Sequence, residues 1–217
     1  MNQPLLHRPD GLIFDMDGTL WDGVECYAQG FNDFFRAHGL SRTLRKQEIA
    51  GFMGLEESKF LAETLAEWPV EARAKIYQEV VEYQYQRVRQ QGGILYPGVA
   101  EGLRLLAQSY RLFIVSNSPA LMIDHFMDWA GIRSLITDSI AHGVNHKPKF
   151  ENIRMLIKRH GLLNPVYIGD TDSDRKQIEL VPLPFFFVEY GFGHSEHFAR
   201  SFGAFSALTQ YLLEMAC

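Results

Sequence analysis

Cysteine is almost missing from this chain: only Cys26 and Cys217 occur among its 217 residues, far apart in sequence. That excludes a framework of disulfides and a zinc site built on paired cysteines, and it suits a reducing compartment. No uninterrupted apolar run approaches the roughly 20 residues that span a bilayer. Residues 1–10 lack the apolar core of a secretory signal, so a cytoplasmic protein is expected. Positive charge is not in excess either. With 21 Lys and Arg against 26 Asp and Glu the formal net charge is -5, which removes the electrostatic footprint of a nucleic-acid binder. Internal repeats, low-complexity tracts and charge blocks are also missing, so neither a solenoid nor a disordered tail is expected.

What remains is an ordinary globular composition, 47% hydrophobic and 22% charged, long enough for one sizeable core or for a core with a smaller insertion. Its most informative stretch is Leu12-Ile13-Phe14-Asp15-Met16-Asp17-Gly18-Thr19-Leu20. The apolar run reads as a buried strand that stops at two aspartates and a glycine. Carboxylates at the exit of a buried strand must be solvated, hydrogen-bonded or bound to a metal. Side chains two apart on an extended segment share a face, so Asp15 and Asp17 can address one small volume. Gly18 permits a sharp turn and Thr19 offers a hydroxyl.

Helical spacing predicts helices over Val24 to His38, Arg45 to Phe52, Glu56 to Trp68 and Glu71 to Gln91, with Gly39, Gly54, Pro69 and Gly92-Gly93 as stops. This block reads as an inserted helical domain over 23–92. After it strands and helices alternate: a helix over Val99 to Gln108, a strand over Tyr110 to Val115, a helix over Ala120 to Ala130 and a strand over Leu135 to Ile140. A polar segment, His142 to Lys149, leads to a helix over Phe150 to His160. Then come strands over Val166 to Ile168 and Phe185 to Val188, and a terminal helix over Ala204 to Ala216. The expected fold class is α/β: a Rossmann-like parallel sheet with helices on both faces, formed by 1–22 and 93–217.

Ligands of such sheets bind beyond the carboxyl ends of the strands. Those ends carry Asp15 and Asp17, Ser116 and Asn117, and Asp170 and Asp174, with Lys147 in the loop after another strand. Converging carboxylates raise one another's pKa unless a cation compensates them. Magnesium suits ligands of this kind. Lys147 adds a point charge and Ser116 a donor for a phosphate oxygen. These are the parts of phosphoryl transfer.

Four segments stand in a recognisable order: Asp15-Met16-Asp17-Gly18-Thr19-Leu20, Ser116-Asn117 after an apolar strand, Lys147-Pro148, and Gly169-Asp170-Thr171-Asp172-Ser173-Asp174. Together they resemble the haloacid dehalogenase superfamily in its phosphatase branch, nearest to the phosphoglycolate phosphatase-like members. The resemblance implies that 23–92 is the helical cap. It implies that Asp15 attacks phosphorus and that Asp17 protonates the leaving alcohol, then takes a proton from water. It implies magnesium held by Asp15, the main-chain carbonyl of Asp17 and Asp170, with Asp174 supporting the metal shell. Ser116, Asn117 and Lys147 would hold the phosphoryl oxygens. Dehalogenating members lack the second aspartate, so Asp17 favours phosphate ester hydrolysis. The expected substrate is a small phosphorylated metabolite, the expected state a monomer or homodimer, with no nucleic-acid or membrane partner. A phosphomutase of the same superfamily and a catalytically silent binding protein are the alternatives.

Other residues read as local. Asp172 suits a helix N-terminus only. His194 and His197 read as surface or capping residues, since a spacing of three without a third ligand is a poor metal site. Tyr77, Tyr83 and Tyr85 suit packing within the helical block. Gly191-Phe192-Gly193 lacks the rest of a dinucleotide fingerprint. Phe52-Met53-Gly54 is positioned as a specificity loop of the cap.

Overall fold

The structure, a computed structural model, describes residues 8–53 and 57–216. Gly54 of the expected loop, Glu56 of the expected third helix, and Cys217 lie outside these residues. The chain divides into two compact units, one made of the residues up to Trp21 and from Leu95 onward, the other of Asp22–Ile94.

The first unit is built on strand β1 (Gly11–Phe14), whose Leu12, Ile13 and Phe14 are fully buried. Two short strands, β2 (Trp21–Asp22) and β3 (Ile94–Leu95), mark where the chain leaves this unit and returns. The sheet is completed by β4 (Arg111–Ser116), β5 (Ile136–Ala141), β6 (Val166–Gly169), β7 (Phe185–Val188) and β8 (Arg200–Phe202). Its order is β5-β4-β1-β6-β7-β8, with every pairing parallel. This is the α/β class expected from the alternation of strands and helices. Parallel strands need crossovers, so all their carboxyl ends lie on one edge. With β1 in the interior of the order, its exit is flanked by those of β4 and β6. The acids after β1 and β6 are neighbours for that reason.

One layer of the core joins Ile13, Phe113, Val115, Tyr167, Phe185 and Phe187 from the sheet to Ile153 and Leu156 from a covering helix. Several features differ from the sequence reading. The polar segment after β5 contains a short helix, His142–Asn145. The next helix, Lys149–His160, begins one residue earlier than the spacing predicts. Strand β8 is only three residues long, too short to show an alternating pattern.

The second unit holds four helices, α1 (Val24–Ala37), α2 (Lys46–Phe52), α3 (Glu57–Thr64) and α4 (Val70–Gln90). Helix α3 stops at Thr64, short of the expected Trp68; the buried Thr64 hydroxyl donates to the Phe60 carbonyl at 2.8 Å. Phe31, Phe34, Phe35, Phe60, Trp68, Tyr77 and Tyr83 pack ring against ring, so the aromatics of this block do serve packing. Arg87 donates twice to Asp33, at 2.5 and 2.8 Å, tying α4 to α1. Cys26 is buried here, its thiol donating to the Gly92 carbonyl. Among the described residues, no helix is long and apolar enough to cross a membrane.

Candidate active site

The acids after β1 and β6 meet around one lysine. Carboxylate oxygens of Asp15, Asp170 and Asp174 all lie within 4.8 Å of one another, and all three residues are buried. The ammonium of Lys149 donates to Asp15 Oδ1 at 2.9 Å and to Asp174 Oδ1 at 2.7 Å. Lys149 is the first residue of its helix, with Pro148 as N-cap. A cation there opposes the helix dipole, and the two carboxylates offset that cost. Burial penalises the ammonium, but Asp15 and Asp174 outweigh it and hold its pKa above the ordinary value.

Lys147, by contrast, does not reach the cluster. It is exposed, and its ammonium pairs with Glu151 at 3.1 Å. Its carbonyl faces the short helix before it, accepting His142 Nδ1 at 2.9 Å, and also accepts Asn152 Nδ2 at 3.3 Å. The assignment of the cation to Lys147 is therefore corrected to Lys149. Two lysines flank Pro148 in the sequence, and only the helix that begins at Lys149 decides which of them turns inward.

Asp174 is fixed on every side. Its Oδ1 also accepts the Tyr167 hydroxyl at 3.0 Å, and its Oδ2 accepts Thr171 Oγ1 at 2.7 Å and Thr171 N at 3.2 Å. The Thr171 hydroxyl accepts from Asp174 N, which closes a capping box on helix Asp172–Glu179. Four donors fill the acceptor sites of a carboxylate, so both Asp174 oxygens are already engaged. Asp172 pairs with Arg175 and Lys176 on the same helix. The Arg175 hydrogen bond, then that from Lys176, bring its pKa down to about 2. This is the local role expected for it.

Asp170 is completely buried and differently served. Its Oδ2 accepts the Phe192 N–H at 2.8 Å, and its Oδ1 has a longer contact, 3.4 Å, with the Thr19 hydroxyl. Glycines press against it from two sides. A Cβ at Gly18, where φ is +83°, would fall 2.0 Å from Asp170 Oδ2, and one at Gly191 would fall 2.3 Å from Asp170 Cβ. Gly191 and Phe192 were given no role by the sequence reading. Their position beside Asp170 is set by β7, whose exit brings the loop back across β6.

Asp15 uses Oδ1 for Lys149; among the described residues no hydrogen bond reaches its Oδ2. Asp17 is half-buried and accepts the Trp21 indole N–H at 3.1 Å. Ser116, at the end of β4, is buried and its hydroxyl accepts from Ser118 N at 3.2 Å; Asn117 is exposed. His194 and His197 are exposed and take no part in the acidic cluster.

Three carboxylates and one ammonium leave two negative charges uncompensated. Burial, then the Asp174 charge, push Asp170 up to about 7. Burial, only partly offset by Lys149, also raises Asp15 well above the ordinary carboxylate range. A dry site with a surplus of two negative charges and carboxylate oxygens on Asp15 and Asp170 fits a hard divalent cation.

Comparison with known proteins agrees with this geometry. The family model described as haloacid dehalogenase-like hydrolase matches residues 12–177. A phosphoglycolate phosphatase from Aliivibrio fischeri is 26% identical over 205 residues, covering 88% of each chain. A probable phosphatase, IndB, from Dickeya dadantii is 30% identical over 174 residues, covering 75% of this chain and 74% of its own. The solved structure of a predicted phosphoglycolate phosphatase from Haemophilus somnus superposes with a TM-score of 0.79 at 19% identity, over 95% of this chain and 99% of that one. This last likeness concerns the fold.

Proposed function

The chain belongs to the haloacid dehalogenase-like hydrolases and is a phosphoric monoester hydrolase. On that premise we propose that it hydrolyses a small phosphorylated metabolite, such as phosphoglycolate or a sugar phosphate, through a phosphoryl group carried on Asp15. The observation that carries the reading is Lys149 seated between Asp15 and Asp174, with Asp170 alongside.

Asp15 and Asp170 would hold magnesium, which supplies neutralisation of the charge on the phosphoryl oxygens. Lys149 draws Asp15 Oδ1 to itself and leaves Oδ2 to attack phosphorus. The new Oδ2–P bond forms as the ester P–O bond breaks, and its electron pair goes to the ester oxygen. Asp17 donates its proton to that oxygen, so a neutral alcohol leaves. In the second half Asp17 takes a proton from water as the water oxygen attacks phosphorus. Asp15 is regenerated and inorganic phosphate is released. The Ser116 hydroxyl and Lys149, in place of Lys147, balance the phosphoryl oxygens, with Asn117 at the rim. The unit Asp22–Ile94 would serve as the cap that excludes water and selects the substrate, with Phe52 and Met53 among its contacts.

Release of phosphate from a panel of phosphorylated metabolites in magnesium tests this reading. We expect turnover in the wild type and none in Asp15→Asn, with an acid-stable, hydroxylamine-sensitive phosphoprotein in rapid-quench samples. Equal activity in Asp15→Asn rejects it. Isomerisation of a sugar phosphate without phosphate release would instead make the chain a mutase.

A further inference from the structure

We propose that Trp21 is the positioning residue of the acid/base, its indole N–H holding the Asp17 carboxyl in place for proton transfer. The proposal rests on the phosphatase reading above and deepens it.

The indole nitrogen donates to Asp17 Oδ1 at 3.1 Å. Asp17 is half-buried, beyond the end of β1, where the strand's ladder no longer fixes its side chain. Its position is set by the loop that follows. Gly18 N donates to the Trp21 carbonyl at 2.9 Å, Trp21 N donates to the Met16 carbonyl at 3.3 Å, and Asp17 and Trp21 form an isolated bridge. The turn is closed on itself, with Gly18 at positive φ supplying the reversal.

The ring is clamped as firmly as its backbone. Trp21 is fully buried, with ring centroids 4.8 Å from Phe126 and 5.6 Å from Trp129. A fully buried indole packed against two aromatic rings has little rotational freedom, so the direction of its N–H is set before substrate arrives. Tryptophan is also a donor and never an acceptor. It satisfies one oxygen of Asp17 in both protonation states and exchanges no proton itself. A phenylalanine keeps an aromatic ring at this position and removes the N–H.

The test separates this role from packing by varying the leaving group. Phenyl phosphate releases a basic phenoxide that needs protonation; 4-nitrophenyl phosphate releases a weakly basic one that does not. The quantity to follow is kcat/KM in magnesium, which reports the step in which the ester bond breaks. For Trp21→Phe, loss of one hydrogen bond to a carboxyl group predicts a fall of about tenfold with phenyl phosphate and less than about twofold with 4-nitrophenyl phosphate. In an Asp17→Asn background Trp21→Phe should add no further loss, because it acts through Asp17. If Trp21→Phe does not fold, 3-benzothienylalanine at position 21 keeps the bicyclic shape and removes the N–H, with the same expected readout. Equal loss with both esters, no loss with phenyl phosphate, or an additional loss in Asp17→Asn overturns the proposal. Failure of the phosphatase reading looks different: the wild type would release phosphate from neither ester, and the role of Trp21 would fall with it.

Discussion

Lys149 Nζ stands 2.9 Å from Asp15 Oδ1, and both side chains are closed off from solvent. The buried pair is stabilising only while both members are present, because removing one strands the other's charge in a dry environment.

Lys149→Met should therefore lower stability by about 3 kcal/mol at neutral pH, since it leaves Asp15 and Asp174 without their shared cation. Phosphatase activity should fall at least about a hundredfold with loss of the charge that faces the phosphoryl group. Lys147→Met should change neither by much, since an exposed i,i+4 pair such as Lys147–Glu151 contributes a few tenths of a kcal/mol. Thermal melts and initial rates on the two variants decide between the lysines. The larger loss in Lys147→Met would restore it to the site.

The metal-free protein should lose stability as pH rises from about 4 to 8. Asp170 has a folded pKa of about 7 against an ordinary value of 3.8. Between those values the folded chain holds more protons than the unfolded chain, so unfolding becomes easier with rising pH and levels off once the folded pKa is passed. Asp15, also raised by burial, contributes in the same direction. A divalent cation binds the folded, deprotonated cluster, so its stabilisation grows with pH. Melting temperatures with EDTA and with magnesium, taken at pH 5 and pH 8, should differ more at pH 8. A magnesium-induced shift that is the same at both values contradicts the assignment.

Gly191→Ala should damage the cluster from outside it. The added methyl would lie 2.3 Å from Asp170 Cβ and 2.5 Å from the Gly18 carbonyl, and neither group can move without shifting a strand exit. A cost of about 1–3 kcal/mol is expected for overpacking at such a place. Magnesium affinity, measured by calorimetry, should weaken as Asp170 is displaced. A variant with wild-type melting and magnesium binding would show that the loop after β7 yields freely.

The parallel α/β sheet was legible because its signals are local. Apolar runs such as Leu112 to Val115 and Val166 to Ile168 are bounded by proline, glycine and polar residues, and helices of ordinary length stand between them. The acids were legible for a related reason: a run like Leu12 to Phe14 does not end in Asp15 and Asp17 without a partner to meet them. The lysine was not legible. Lys147 and Lys149 flank one proline, and their fates diverge only because the helix starts on Lys149 and aims its first turn at β1. Gly191 and Phe192 were hidden for the same kind of reason, since they reach Asp170 through a strand pairing that no local pattern encodes.

Sequence by itself determined the strand exits and the residue types gathered there, since the periodicity of apolar residues and the cost of burying charge act over a few neighbouring positions. Tertiary structure alone decided which cation balances the acids, that Asp174 spends its oxygens on Lys149, Tyr167 and Thr171, and that Trp21 turns its N–H to Asp17. Those outcomes depend on distances of about 3 Å between groups brought together by the packing of strands and helices, and hydrogen bonding at that range is fixed by the fold rather than by spacing along the chain.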